Sequence, residues 1–287
     1  MRPKSKPAAP DNFLDRVFTE FSALAPTSSL TKSDYAQRIT RGGLPDAIGR
    51  TEQRRKPFFQ NYLAGLVNHE VREISQIQRT GELWQLLRLL ASRNSGLLVP
   101  GNLATQTGLA KGTVAKYLAL INEVFLIKTL PAWTRGNTAR ATRTPKLAFV
   151  DSGVAAHLLG KNAKSLTRAD SPFGSLLESF VAMELARQAT WTTNWGIELF
   201  HYRTKDLIEV DLVLENAEGQ VIGIEVKAST TVSNDDFRGL RHLAKVTKTD
   251  FLGGIVFHAG TETVSFGHGF KAMPISAIWA PDRGSVS

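Results

Sequence analysis

Apolar residues recur at helical spacing through most of the first half of the chain. Phe13, Leu14, Val17, Phe18, Phe21 and Leu24 fall on one face of Asn12 to Ala25, behind Asp11 and ahead of a break at Pro26 to Ser29. Ser33 to Arg41 predicts a short helix that stops at Gly42-Gly43. The G-G-L-P-D-A-I that begins there reads as a turn, its paired glycines permitting unusual backbone angles. Arg50 to Gln78 predicts a long helix on Phe58, Phe59, Tyr62, Leu63, Leu66, Val67 and Val71, with Arg54 to Lys56 as a solvated basic face. Glu82 to Arg93 predicts a third such helix on Leu83, Trp84, Leu86, Leu87 and Leu90.

Asn102 to Thr107, a turn at Gly108, and Lys111 to Glu123 then predict two helices in quick succession. Val114, Leu118, Ile121 and Val124 lie on the inner face of the second. The runs F-L-I-K-T-L and K-L-A-F-V-D follow as two short strands. A helix, a helix-turn-helix and a strand pair in this order are similar to a winged helix. Lys111, Thr113 and Lys116 would project from the second helix towards phosphates or base edges. Lys128, Arg135, Arg140, Arg143 and Lys146 make the loop between the strands the densest acid-free basic stretch of the chain, with Trp133 as a stacking surface inside it. The second helix is rich in Ala and Leu, which suits contact with the DNA backbone, or a structural role, better than base readout.

The pattern changes after Asp151, which reads as the N-cap of a helix, with a metal ligand as the alternative. Gly160 to Pro172 is polar and reads as a loop. Leu176 to Gln188 predicts a buried helix with Glu178 near its start, where an acid also suits the helix dipole. Glu198 to Tyr202, Val210 to Leu214, Val221 to Val226 and Gly254 to Phe257 alternate as strands, and Asp235 to Lys245 reads as a helix before the last. Glu218-Gly219 supplies a hairpin turn between the second and third strands.

That hairpin carries the chemistry. Asp211 is followed, after thirteen residues, by Glu225-Val226-Lys227. Glu225 and Lys227 are two apart and share a face of a strand. Two carboxylates suit Mg²⁺ or Mn²⁺, hard cations that take oxygen ligands, and a lysine beside them suits a water nucleophile or a charged phosphoryl group. Glu178 is the candidate third acid. The arrangement resembles the PD-(D/E)XK nuclease core. The same residue types also suit a solvated sheet face.

Composition narrows the partners. The chain has 287 residues, 42% of them hydrophobic, and 35 Lys and Arg against 26 Asp and Glu for a net charge of +9, which favours an anionic partner and makes nucleic acid the leading candidate. Without cysteine, thiol chemistry, disulfides and zinc fingers are excluded, and a reducing cytoplasm is the expected setting. No apolar run of membrane-spanning length occurs, so no membrane partner is expected. The basic N-terminus has no apolar segment behind it and reads as a disordered arm.

Taken in order, several short motifs carry a wider resemblance: G-G-L-P-D at 42–46, L-A-T-Q-T-G-L-A-K-G-T-V-A-K-Y-L, P-K-L-A-F-V-D-S-G-V at 145–154, G-S-L-L-E-S-F-V at 174–181, and H-Y-R-T-K-D-L-I-E-V-D followed by I-E-V-K-A-S. Over about Leu30 to Phe257 the chain resembles prokaryotic AAA-type ATPases whose C-terminal half is the domain of unknown function 4143. The resemblance implies an α+β multidomain protein. Its parts would be an arm at 1–10, a helical lid-like segment at 11–80, a winged helix at 81–150, a restriction-endonuclease-like mixed sheet with flanking helices at 151–280, and a loose tail at 281–287. It transfers a nuclease-like role to Glu178, Asp211, Glu225 and Lys227. The chain departs from that family in having no G-x-x-x-x-G-K-[ST] loop; Gly160-Lys161 is followed by Asn162 and does not fit. No ATP site and no ATPase activity are therefore expected from this polypeptide. Three functions stay open: a metal-dependent DNA phosphodiesterase, a non-catalytic DNA-binding or assembly module, and a regulator that binds a separate AAA-type ATPase in trans; the partners expected are DNA, and such an ATPase or a second copy of the chain. Phe58, Phe59 and Tyr62 offer that regulator an apolar contact, although core packing is the commoner fate of such a trio.

Overall fold

A computed structural model describes residues 12–70, 80–136, 140, 143–193 and 196–279, so the expected arm and tail, and Val71 to Gln78 of the expected long helix, lie outside the described residues. The chain divides into two compact units, one of residues 31–183 and one that joins the first 30 residues to 184–287. The described chain opens with α1 (Phe13–Thr19), which belongs to the second of these and is capped by Asn12, whose side chain accepts from the Asp15 N–H. Sequence patterning extends this helix to Ala25. The helix ends at Thr19; beyond it Lys271 Nζ donates to the carbonyls of Ser22 and Leu24, each at 2.7 Å, while Phe21 and Leu24 still bury their side chains.

The helical unit starts at α2 (Lys32–Arg41), held by a capping box between Thr31 and Asp34 and ended by Gly42 at φ +69°. Where a turn is expected, Pro45 starts a one-turn helix, α3 (Pro45–Ile48), as proline at a first helical position favours. Next come α4 (Glu52–Gly65), which continues as a wider turn over Leu66–Glu70, and α5 (Thr80–Ser92). α6 (Pro100–Thr107) turns at Gly108 into α7 (Lys111–Glu123). The strands β1 (Ile127–Leu130) and β2 (Lys146–Phe149) then pair antiparallel. α8 (Ser152–Leu158) follows, and the stretch read as a loop contains a further turn of helix, α9 (Ala163–Leu166), closed by an Asn162–Ser165 capping box. The division between the units falls inside α10 (Phe173–Gln188). Tyr35, Ile39, Leu63, Leu83, Leu86, Leu90, Val114, Ile121 and Phe149 are fully buried. Each such side chain removed from water contributes about 1.5–3 kcal/mol before entropy is counted.

One carboxylate joins two of the sequence landmarks in this unit. Asp151 follows β2 and caps α8, its Oδ1 accepting from the Val154 N–H at 2.9 Å. Its Oδ2 accepts from the N–H groups of Gly43 at 2.6 Å and Leu44 at 3.2 Å. A side chain at Gly42 would collide with the same carboxylate, and its φ of +69° favours glycine independently. The Gly-Gly pair therefore wraps the Asp151 carboxylate, which acts as a cap and clasp.

In the sheet unit the six strands run in the order β3-β4-β5-β6-β8-β7. β3 (Glu198–Arg203), β4 (Glu209–Glu215) and β5 (Val221–Lys227) form an antiparallel meander. A 3₁₀ turn at Asn234–Phe237 and α11 (Arg238–Thr247) cross to β6 (Phe251–His258), which lies parallel to β5. Beyond β6, the sheet adds β7 (Val264–Ser265) and β8 (Phe270–Pro274), with β8 parallel to β6 and β7 antiparallel on its far side. These last two strands are not expected from the sequence. The segment at 12–30, expected with the helical part, belongs here: the Phe13 ring lies 5.5 Å from that of Phe257, and the Phe13 N–H donates to Gln188 Oε1 at 3.1 Å.

Candidate functional site

The β4–β5 hairpin is set by its turn. Asn216 Oδ1 accepts from the N–H groups of Glu218 (3.1 Å) and Gln220 (2.9 Å), and Gly219 takes φ +79°. That turn fixes the register Leu212↔Ile224, and Asp211 and Glu225 are the next residues out, on adjacent strands. Asp211 Oδ2 accepts from the Val226 N–H at 2.9 Å, which holds the carboxylate against the end of β5. Glu225 is only 8% exposed. Leu240 of α11 stands over Gly223, so α11 covers the face of the sheet on which Gly223, Glu225 and Lys227 alternate. Gly239 makes this approach possible: any side chain there would collide with the Glu209 carbonyl and stand 3.2 Å from Glu225 Oε1.

Lys227 Nζ lies 3.8 Å from Glu225 Oε2 and 3.8 Å from Asp236 Oδ1. Its side chain is 36% exposed, so neither pair locks it, and exposed pairs of this kind are worth about 0–1 kcal/mol. Asp236 is a member of the cluster that sequence reasoning missed. Its other oxygen accepts from the N–H of Ser233 at 2.7 Å and its hydroxyl at 3.0 Å. The Ser-x-x-Asp spacing of that capping box was a signal for a helix start, but not for a contact with Lys227.

Glu178 is placed differently from its expected role. α10 begins at Phe173 and has no acid in its first turn, so Glu178 sits in the second turn and the dipole argument for it fails. It belongs to the helical unit, where its Oε1 accepts from Lys146 Nζ at 2.7 Å with side chains 18% and 7% exposed. Lys146 is correspondingly buried and is not a surface cation of the basic loop. Trp133, expected as a stacking surface, is also buried; Arg140 lies over its ring at 6.0 Å and donates from Nε to the Thr134 carbonyl at 2.8 Å. Lys111, Lys116, Lys128, Arg135 and Arg143 are exposed and Thr113 half-buried. Among the described residues no three His, Cys, Asp or Glu gather as a metal cage, so the cluster offers two adjacent carboxylates, a lysine and a second-line acid. No helix among the described residues is long and apolar enough to cross a membrane.

His258 pairs with Lys227 across the β5–β6 register and is buried. Its Nδ1 accepts from the Gly260 N–H at 3.0 Å, and its Nε2 lies 3.1 Å from the Glu262 carbonyl, a pair of contacts that suits the neutral ring with its proton on Nε2. Burial pushes its pKa below the ordinary 6.5. The unfolded chain therefore binds more protons below that value. The stability from the neutral ring is complete above pH 6.5 and is lost as pH falls towards the folded-state value. Urea midpoints should fall between about pH 7 and about pH 5, and His258→Gln should flatten that slope; an unchanged slope in the variant would assign the pH dependence elsewhere.

Two family matches meet this structure. Residues 32–165 match a Domain of unknown function (DUF8612), within the helical unit, and residues 173–278 match a Domain of unknown function (DUF4143). The C-terminal region carries the domain of unknown function 4143. The similar curated proteins include the uncharacterized protein Rv2008c of Mycobacterium tuberculosis and the uncharacterized protein Mb2031c of Mycobacterium bovis, each 25% identical over 203 residues. The match covers 70% of this chain and 45% of each relative, so the chain spans less than half the length of the curated relatives it matches. Protein VC1899 of Vibrio cholerae is 13% identical over 80% of this chain and 52% of its own, with a TM-score of 0.25.

Proposed function

We propose that the domain-4143 region is a metal-dependent phosphodiesterase acting on DNA, of the PD-(D/E)XK type. The observation that carries this reading is the juxtaposition of Asp211, Glu225 and Lys227 at the end of one hairpin, with Asp211 fixed by the Val226 N–H. The donor set fits Mg²⁺ or Mn²⁺, which accept one or two protein carboxylates and complete their shell with water and substrate oxygens. Asp211 and Glu225 would hold the ion, which supplies an activated water and charge neutralisation at the phosphoryl group. Lys227, loosely held between Glu225 and Asp236, has the freedom to orient that water or meet the developing negative charge.

The other half of the reading is a winged-helix-like DNA module built from α6, α7 and the β1–β2 pair. Lys111, Thr113, Lys116, Lys128, Arg135, Arg140 and Arg143 are its candidate contacts to the phosphate backbone, which gives binding that is salt-sensitive and sequence-tolerant. One observation favours a second reading, a DNA-binding module without catalysis: the third acid expected of the site, Glu178, is already taken by Lys146.

The two readings separate in a cleavage assay on labelled linear, branched and single-stranded DNA, with Mg²⁺ or Mn²⁺ and with EDTA. Cutting that needs the metal supports the phosphodiesterase. Salt-sensitive retention of DNA without cutting supports the second reading, and neither cutting nor retention would remove DNA as the partner.

A further inference from the structure

The helical unit contains a cleft of about 880 Å³ that the proposed hydrolysis does not use. Its walls come from the end of α2, the first turns of α4, and α8 with the Gly160–Asn162 segment that follows it. Arg55, Lys56 and Lys161 line it, opposed by the single carboxylate of Glu52. None of the three cations is in an ion pair with a described residue. Arg55 Nε donates to the Arg50 carbonyl at 3.0 Å, which fixes the guanidinium while its terminal nitrogens stay available. Thr51 caps α4 without a side-chain hydrogen bond, so the positive end of this 14-residue helix adds to the same field. His157 forms part of the wall, its ring 5.9 Å from that of Phe59.

We infer that this cleft binds a small phosphate-bearing molecule of nucleotide size, held by Arg55, Lys56 and Lys161. Three cations without an ion-pair partner among the described residues line one concave surface, and phosphate oxygens match both the planar guanidinium and the ammonium groups. The volume lies in the range of small-molecule sites, about 300–1,000 Å³, and far exceeds what a lone ion fills. Burial and the charge of Lys56 both push the pKa of His157 down from its ordinary value, which favours the neutral ring. Lys56, Arg55 and Glu52 of α4 and Lys161 line the same cleft. A bound phosphate would oppose the effect of Lys56 on the ring.

The test titrates the full chain with pyrophosphate and with AMP by calorimetry, in EDTA so that no metal at Asp211 and Glu225 recruits the phosphate. Saturable binding is expected at about pH 7.5, weakened roughly tenfold or more in Lys56→Ala/Lys161→Ala. Unchanged melting of that variant separates lost binding from lost fold. No saturation by either probe, or equal affinity in the variant, would overturn the assignment. Because the phosphodiesterase reading concerns other residues and needs metal, either result here leaves that reading untouched.

Discussion

Asp211→Asn is expected to lower metal-dependent DNA cleavage by about 10²–10³-fold, the order seen when one charge-stabilising group is removed from an active site. Asparagine is the sharper variant. It keeps an oxygen for the Val226 N–H, now accepted by the carboxylate at 2.9 Å, and so keeps the shape of the hairpin end. It loses the negative charge that a divalent cation requires. Asp211→Ala should lose the same activity and also leave the Val226 N–H without its partner, at a stability cost of about 1–3 kcal/mol. The comparison assigns the loss to charge rather than to fold. An Asp211→Asn protein that cleaves at more than about a tenth of the wild-type rate would place the chemistry elsewhere.

Asp151→Ala is expected to destabilise the protein by about 2–4 kcal/mol, with no direct effect on the hairpin chemistry. The carboxylate is 8% exposed and accepts from three backbone N–H groups, two in the Gly43-Leu44 segment and one at the start of α8. Alanine removes all three bonds, and the helix N-cap alone accounts for about 1 kcal/mol. In a thermal melt the loss corresponds to roughly 5–15 °C for units of this size. Asp151→Asn keeps one acceptor oxygen and should fall between wild type and alanine. A change below about 0.5 kcal/mol in Asp151→Ala would mean that the Gly-Gly turn and α8 hold together without the clasp.

Much of this architecture was readable in advance because it rests on local physics. The α6–α7 pair announced itself by Gly108 and by apolar residues at helical spacing, and the hairpin by alternation around Glu218-Gly219. Asp151 was readable as a cap, because an Asp just ahead of a helical run satisfies free N–H groups. Its second role was not, since Gly43 and Leu44 lie more than a hundred residues away. Lys146 and Trp133 were misread for the same reason. A basic loop suggests a solvated surface, yet Lys146 meets Glu178, 32 residues further on, and Trp133 is buried. β7 and β8 escaped because one is two residues long and the other, F-K-A-M-P, is too short to show a period. At the candidate site, Asp211, Glu225 and Lys227 followed from strand periodicity. Asp236 reaches Lys227 only through the crossover after β5, which brings a capping residue of the next helix to the strand end.

A divalent-cation site formed by Asp211 and Glu225 can be measured without any DNA substrate, by Mn²⁺ binding followed by electron paramagnetic resonance. One Mn²⁺ per chain is predicted for the wild-type protein, displaced by Mg²⁺, and lost in both Asp211→Asn and Glu225→Gln while each variant melts as a folded protein. Absence of bound Mn²⁺ at millimolar concentration, or binding that survives both substitutions, would contradict it.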